Sequence, residues 1–332
     1  MSDQAPSSSS RRKFLKVIGG GVIFAAAGAG TFLGTRTPAK AIEPWKMALG
    51  PKAGVDPRHI LLSHAILAPN PHNRQPWVAD LSVENEIILF CDLDRRLPET
   101  DPFDRQITIG LGCFLELLDL TAKEHGYLAD ISVFPDGEPA PRLDERPVAR
   151  IKITKSDAAQ KDPLFAQLFD RRSNKDPFDM SQNVSAIDAD NILSVAKHST
   201  DVSSVIENED ITQLRDITWA ALDTEMRTFR TAKESIDLMR IGKAEIEANP
   251  DGIDMGGAFF ETLSLLGLLS RDIMLKMDET TMQQMADAMR PPLATAMGYV
   301  QVRTNGNNRS DQINAGRDYV RLNLKATELG IA

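Results

Sequence analysis

Apolar and polar positions alternate along this chain with two different periods, and the two periods predict different secondary structures. Spacing of three and four residues predicts helices, whereas spacing of two predicts strands. Both kinds of element are interspersed, which indicates an α+β protein. The predicted helices cover residues 57–68, 163–169, 186–198 and 211–230, and the predicted strands cover residues 77–83, 86–92, 129–134, 148–154 and 202–207.

Residues 233–289 have a helical pattern that is interrupted at Asn249, Pro250, Asp251 and Gly252. Asn, Pro and Gly clusters end helices, so we expect several short helices here. No heptad repeat is sustained, which excludes a coiled coil. The segment is best interpreted as an inserted helical lid.

The sequence contains two similar copies of a segment that predicts one long helix. Residues 105–127 align with residues 309–331 at an offset of 204, and both copies predict an amphipathic helix that ends at a glycine. Two unrelated helices would share Leu and Ala by chance, but the shared arginine and glycines favour a true repeat. The identical pairs are Arg105 and Arg309, Gly112 and Gly316, Leu118 and Leu322, Leu120 and Leu324, Ala122 and Ala326, Glu124 and Glu328, and Gly126 and Gly330.

The repeat divides the chain into a first half, residues 42–155, and a second half, residues 156–332, which contains the lid at about 233–289. The first copy of the helix is followed by the strand predicted at 129–134. The second copy ends at Ala332. We therefore expect the second half to be truncated or to lack one strand of its sheet.

The N-terminus has the pattern of a twin-arginine export signal. Residues 10–16 read S-R-R-K-F-L-K after a Ser-rich start, and a weakly apolar, Gly-rich stretch follows at 17–34. We predict cleavage after Ala41 and an exported, periplasmic protein that meets the twin-arginine translocase on its way out. An uncleaved membrane anchor is the alternative, because the apolar stretch is just long enough to span a bilayer.

Charge and cysteine content narrow the function. Without residues 1–41 the chain keeps 32 basic and 46 acidic groups, a net charge of -14, which argues against binding to nucleic acid or to anionic lipid. Cys91 and Cys113 lie in apolar stretches without metal-type spacing. They are better interpreted as buried thiols than as a disulfide, although an oxidising compartment would permit the bond.

Two short polar segments carry the candidate chemistry. The first, residues 68–77, reads A-P-N-P-H-N-R-Q-P-W and leaves a helix to enter a strand. The second, residues 170–178, reads D-R-R-S-N-K-D-P-F. Guanidinium groups, an ammonium group, a hydroxyl and an amide so close together are the donors that a phosphate monoester requires. Each segment alone is also typical of an ordinary polar turn.

At these two segments the chain resembles the nitroreductase-like flavoproteins, and especially their tandem branch, the FMN-binding Acg-type proteins. Family members have a pattern A-P-S-x-x-N-x-Q-P-W that faces the flavin ring and a pattern R-R-S/T-x-R/K plus an aromatic residue that binds the FMN phosphate. Here each pattern occurs once, at residues 69–77 and 171–178. The resemblance covers most of residues 57–332 and implies two fused halves that form a pseudo-dimer with mixed sheets flanked by helices.

The resemblance implies FMN as cofactor and a set of residues that bind it. Asn70 and Asn73 would face the flavin ring or the ribityl chain, and Arg171, Ser173 and Lys175 would bind the phosphate. The implied function is a nitroreductase-type oxidoreductase that reduces a small acceptor, with an unknown electron donor. It leaves open whether two chains form a homodimer.

Two other functions are carried forward. One is a flavin-sequestering protein in which the lid closes over FMN, and the other is an interaction protein without catalysis. No catalytic residue is assigned, because acid/base pairs and nucleophile motifs are missing from the sequence. His72 lacks a second metal ligand at regular spacing, and the face formed by Met282, Met285 and Met289 predicts packing in a core or lid better than a copper site.

Overall fold

The computed structural model describes residues 38–198 and 201–332. The twin-arginine pattern and the whole apolar stretch after it lie outside these residues. Within the described part of the chain, no helix is both long and apolar enough to cross a membrane.

The first half contains a four-stranded antiparallel sheet. Its strands are β1 (Trp77–Asp80), β2 (Glu86–Cys91), β3 (Tyr127–Val133) and β4 (Ala149–Lys155), in the order β1-β2-β4-β3. Buried and exposed residues alternate along β4, so one face of the sheet packs on the core. The second half has a two-stranded antiparallel pair, β5 (Asp201–Val205) with β8 (Tyr299–Arg303), and its lid has a short parallel pair, β6 (Met239–Ile241) with β7 (Ile253–Met255).

Helices and sheets occur together, which confirms the α+β prediction. Three short 3-10 helices lie at Pro71–Asn73, Leu93–Arg95 and Pro163–Gln167. The α-helices are α1 (Glu43–Leu49), α2 (Pro57–Ala65), α3 (Arg105–Glu124), α4 (Ala186–Leu193), α5 (Asn208–Arg227), α6 (Phe229–Asp237), α7 (Gly242–Ala248), α8 (Ala258–Leu265), α9 (Arg271–Met274), α10 (Glu279–Ala294) and α11 (Arg309–Glu328).

Most predicted elements form within a few residues of their expected ends, but the helix expected at 186–198 ends at Leu193. Its continuation is prevented by a carboxylate from another element. The backbone N–H groups of Lys197 and His198 donate to Asp318 of α11 at 2.7 to 3.1 Å, and Asp318 is fully buried. A buried carboxylate needs such donors, so the tertiary contact overrides the local helical preference.

The two copies of the repeated helix, α3 and α11, cross in the middle of the molecule. Each has 20 residues, and Gly126 and Gly330 follow them with the positive φ angles of 77° and 70° that a helix C-terminus requires. Most of α3 is buried, and Ile313, Val320 and Leu324 of α11 join the same core. Both predicted long helices therefore form, each with a glycine at its C-terminal end.

The crossing is reciprocal at its two glycines. A Cβ on Gly112 would lie 2.2 Å from the carbonyl oxygen of Ile313, and a Cβ on Gly316 would lie 1.9 Å from that of Ile109. Ile109 and Ile313 are themselves related by the offset of 204. Each glycine therefore contacts the same place on the other copy, as in a two-fold interface.

Both cysteines are buried free thiols, which confirms the predicted burial. Burial raises the pKa of Cys91 and of Cys113 to about 12. The methionine prediction is only partly correct. Met282 is buried and Met285 is partly buried, but Met289 is 42% exposed, because α10 turns that end of its face towards solvent.

The glycine crossing predicts a matched pair of destabilised variants. Gly112→Ala and Gly316→Ala should each lower the free energy of unfolding by about 1–3 kcal/mol, because the new methyl group meets a backbone carbonyl that cannot move aside. Urea unfolding at equilibrium measures the effect. Ser264→Ala, at an exposed position of α8, is the control and should change stability by less than about 0.5 kcal/mol. A clearly unequal effect of the two glycine variants would contradict the reciprocal crossing.

Candidate functional site

The first polar segment forms a strained loop between α2 and β1. His72, Asn73 and Gln75 have φ angles of 50°, 51° and 51°. These lie in the left-handed region, which residues other than glycine rarely adopt. Such strain persists only where surrounding contacts impose it, and it is frequent at functional sites.

The two asparagines of this loop are placed differently. The Asn70 Oδ1 atom accepts a hydrogen bond from the Gln75 backbone N–H at 2.7 Å, and its Nδ2 atom donates to the Ala68 carbonyl at 3.2 Å. Asn70 therefore fixes the loop and keeps one amide hydrogen for a ligand. Asn73 is exposed, and its Oδ1 atom accepts a bond from Gln75 at 3.3 Å. Its Nδ2 atom has no protein partner among the described residues.

The lid holds the same loop from the other side. The His72 Nε2 atom is 2.9 Å from the Ser235 hydroxyl of α6, and the Gly252 N–H donates to the Asn73 carbonyl at 3.1 Å. The strongest contact is ionic: the Arg74 guanidinium lies 2.6 Å from Asp251, which is only 13% exposed. Lid and loop form one hydrogen-bonded unit.

Three arginine side chains surround the Asp251 carboxylate at this contact. Besides Arg74 it pairs with Arg240 at 3.0 Å and lies 3.6 Å from Arg95. Burial lowers the pKa of Arg74, and the Asp251 carboxylate opposes that shift. Because three guanidinium groups share one carboxylate, removing it would leave like charges facing each other.

The second polar segment begins with a half-buried cation. The Arg171 Nη1 atom donates to the Asn323 Oδ1 atom of α11 at 3.2 Å, and no carboxylate pairs with Arg171 in the described part of the chain. Burial lowers its pKa, opposed by Tyr319 and Cys113. A desolvated guanidinium group with only a neutral partner is a candidate to bind an anion.

The residues that follow are exposed. Ser173 and Lys175 lie on the surface, and Arg172 rests over the Trp45 ring at 6.0 Å and donates to the carbonyls of Phe169 and Arg171. Among residues 38–198 and 201–332, neither Arg172 nor Lys175 is paired with a carboxylate. The segment therefore holds three cations without a carboxylate partner in the described part of the chain, Arg171, Arg172 and Lys175, between Asp170 and Asp176.

The two segments contact the two helices that cross each other. A Cβ on Gly110 would lie 3.1 Å from the Asn70 Cβ atom, so the first segment rests on α3. Arg171 of the second segment donates to Asn323 of α11. Burial raises the pKa of Cys113 on α3, and the positive charge of Arg171 opposes that shift. Segments about 100 residues apart in the sequence are therefore both held by the α3 and α11 pair.

A second charged cluster at the α3 and α11 crossing is already neutralised. Glu116 of α3 is fully buried and lies 2.8 Å from Arg317 and 2.7 Å from Arg321, while Asp162 lies 2.9 Å from Arg321. The His198 Nε2 atom is 3.1 Å from Glu116. This Glu116 cluster has a carboxylate for each guanidinium group, whereas the Arg171 side has none.

Burial alone would raise the pKa of Glu116. His198, Arg317 and Arg321 lower it by a larger amount, so the pKa lies well below its usual range. Glu116 is therefore ionised in the folded protein at every ordinary pH.

Two cavities of the described residues lie elsewhere. One of about 380 Å³ lies between Arg96 and the outer face of α6, and another of about 110 Å³ lies beside Trp219 and Arg290. None of the five residues predicted to bind FMN lines either cavity. The two segments present donors for an anion and for a planar ring at a surface that the lid partly covers.

Several residues of this region were not predicted from sequence. Tyr319 and Asn323 contact the Arg171 side, and Ser235 and Asp251 contact the loop. The repeat held a usable signal for the first pair, because the offset of 204 aligns Tyr319 with Leu115 and Asn323 with Asp119. These two differences in polarity and charge between the copies indicate that α3 and α11 have different roles at these positions.

Comparisons with known proteins give a limited match. No protein-family model matches this chain. Two uncharacterized proteins of Mycobacterium tuberculosis, one from strain CDC 1551 and one from strain H37Rv, are each 30% identical to it over 129 residues. The match covers 36% of this chain and 36% of each relative, so the chain spans about a third of the length of these relatives.

The Glu116 cluster predicts a strong and pH-dependent variant. Glu116→Gln should lower the free energy of unfolding by about 3–5 kcal/mol at neutral pH, because it leaves buried guanidinium groups without their carboxylate. Urea unfolding at pH 7 and at pH 3 measures it. The lowered pKa of Glu116 means that its stabilising effect is complete above its ordinary value of 4.5 and is lost as the pH falls below it.

The difference in the free energy of unfolding between Glu116→Gln and the parent chain should therefore be smaller at pH 3 than at pH 7. Glu86→Gln, which removes the exposed pair with Arg150, is the control and should cost less than about 1 kcal/mol. An equally small effect of Glu116→Gln would show that the cluster adds nothing to stability.

Proposed function

We propose that this protein is an FMN-dependent oxidoreductase of the nitroreductase type, built from two fused halves that form a pseudo-dimer with one composite flavin site. The observation that carries the proposal is that the two polar segments are held by the crossing helices, Asn70 against Gly110 of α3 and Arg171 against Asn323 of α11, with the Arg171 guanidinium left without a carboxylate in the described part of the chain. The reciprocal contacts of Gly112 and Gly316 support the pseudo-dimer.

The residues fit the phosphate of FMN. Arg171 and Lys175 supply positive charge, and Ser173 supplies a hydroxyl group to the same anion. Asn73 has a free amide group for the ring or the ribityl chain, and Asn70 holds the loop in place and offers one further N–H. The bound flavin would supply hydride transfer to a small acceptor such as a nitroaromatic compound or a quinone.

We also propose that the protein acts outside the cytoplasm. A twin-arginine signal exports folded proteins, so FMN would be inserted before export, and the translocase would be a transient partner. NAD(P)H is not expected in the periplasm, so a different molecule or protein would supply the electrons there, and NADPH serves as a bulky reductant that probes access to the flavin in vitro.

The phosphate assignment is tested by removing both cations. The variant Arg171→Ala with Lys175→Ala should lose FMN affinity by about 100-fold or more, because each charge-assisted contact contributes about 1.5–3 kcal/mol. The visible spectrum of the purified chain after reconstitution with FMN shows the bound flavin, and fluorescence titration gives the affinity.

The matched control removes two exposed arginines, Arg150→Ala with Arg303→Ala, and so changes the net charge equally. It should bind FMN as the parent does. Unchanged FMN binding in the Arg171 and Lys175 variant would contradict the assignment, and a parent chain without flavin bands after reconstitution would contradict the flavin function itself.

A second function, flavin sequestration, is favoured by one observation. All four residues from His72 to Gln75 are hydrogen-bonded or ion-paired to the lid, so the lid is closed over the ring side of the proposed site. A permanently closed lid would protect FMN from reductants and leave little reductase activity. Anaerobic mixing separates the two functions: rapid reduction by NADPH as well as by dithionite indicates an open enzyme, and reduction by dithionite alone indicates a closed store.

The lid contact has its own test. If the Asp251 ion pairs keep the lid closed, Asp251→Asn should raise the rate of flavin reduction by NADPH by about tenfold or more, because a loss of about 1.4 kcal/mol in closure has that effect. Stopped-flow absorbance measures the rate. Asp237→Asn, which removes an exposed lid pair with Lys233, is the control. Equal rates in the parent and both variants would show that Asp251 does not control access.

A further inference from the structure

The helix α11 differs from its copy α3 at the point where it meets Arg171. The offset of 204 aligns Asn323 with Asp119 and Tyr319 with Leu115. Asn323 and Tyr319 are four residues apart, so they lie on the same face of α11. Asn323 contacts the Arg171 guanidinium through a hydrogen bond of 3.2 Å.

In the first copy, the corresponding carboxylate is used to neutralise cations. Asp119 accepts a hydrogen bond from Lys123 at 2.6 Å and lies 3.6 Å from Arg317. Arg317 occupies the position that aligns with Cys113, the residue of α3 beside Arg171. Asp119 and Asn323 therefore occupy matching positions of the two helices, but the cation beside Asp119 is neutralised by a carboxylate and the cation beside Asn323, among the described residues, is not.

An asparagine and an aspartate at this position have different consequences for the cation. The amide oxygen of Asn323 orients Arg171 without cancelling its charge, while an aspartate in its place would form an ion pair with it and compete with any anionic ligand. The Nδ2 atom of Asn323 has no protein partner in the described part of the chain. It can donate to an oxyanion that Arg171 binds.

We infer that Asn323 is the residue that makes this side of the α3 and α11 crossing an oxyanion site, and that its amide completes the donors around Arg171. The ligand class is a phosphate monoester or free phosphate. This inference rests on the proposed function for the identity of the ligand as FMN, but the anion site itself follows from the charge balance.

The test restores the aspartate of the first copy. Asn323→Asp should lower the affinity for FMN by about tenfold or more and leave the affinity for riboflavin, which has no phosphate, almost unchanged. Without any ligand the same variant should melt about 2–4 °C higher than the parent, because it gives Arg171 a counter-charge. Fluorescence titration and thermal unfolding of the full chain measure both effects.

Two further variants complete the design. Asn183→Asp makes the same charge change at an exposed loop position and should alter neither property. Asn323→Ala leaves Arg171 charged, so it should lose less FMN affinity than Asn323→Asp and should not gain stability. A variant Asn323→Asp that binds FMN as tightly as the parent, or loses riboflavin to the same extent as FMN, would overturn the inference.

Failure of the flavin function is distinguishable from failure of the anion site. A parent chain that binds neither FMN nor riboflavin contradicts the proposed function, and inorganic phosphate is then the probe. Phosphate that raises the melting temperature of the parent but not of Asn323→Asp supports the anion site. Phosphate that stabilises neither protein, or both equally, overturns it.

Discussion

The fold depends on the close contact of two glycines. At Gly112 and Gly316 the backbones of α3 and α11 approach until no side chain fits between them, and each glycine faces the carbonyl three residues before the other. This contact fixes which residues of the two helices face each other along their whole length. It therefore sets the position of Cys113, Glu116, Tyr319 and Asn323, on which both the charge cluster and the candidate site depend.

Reciprocal geometry does not make the two sides alike. On one side Glu116 and Asp119 neutralise Arg317, and the cluster is a structural element of the core. On the other side Arg171 has an amide for a partner, in a chain whose net charge is -9. A partly buried cation without a counter-charge lowers stability, so the ligand that we propose would stabilise the protein by supplying that charge.

The features that depend on neighbouring residues in the sequence could be predicted, and the contacts between residues far apart in the sequence could not. The repeated helix, its glycine ends and the polar segments at 68–77 and 170–178 follow from local patterns, and the structure contains the helix and both segments where they were expected. The contacts of Ser235 and Asp251 with the loop join residues more than 160 positions apart, and no local pattern marks them. Asn70 was expected to face a ligand, but its shortest bonds are to its own loop.

The central claim is that the α3 and α11 crossing carries one anion site, on the Arg171 side, and that FMN occupies it. Isothermal titration of the full chain with FMN tests this claim most directly, because it counts sites. We expect one FMN per chain, and no heat from FMN once Arg171 and Lys175 are both replaced by alanine. Two equivalent sites per chain, or one site that persists without these cations, would contradict the account.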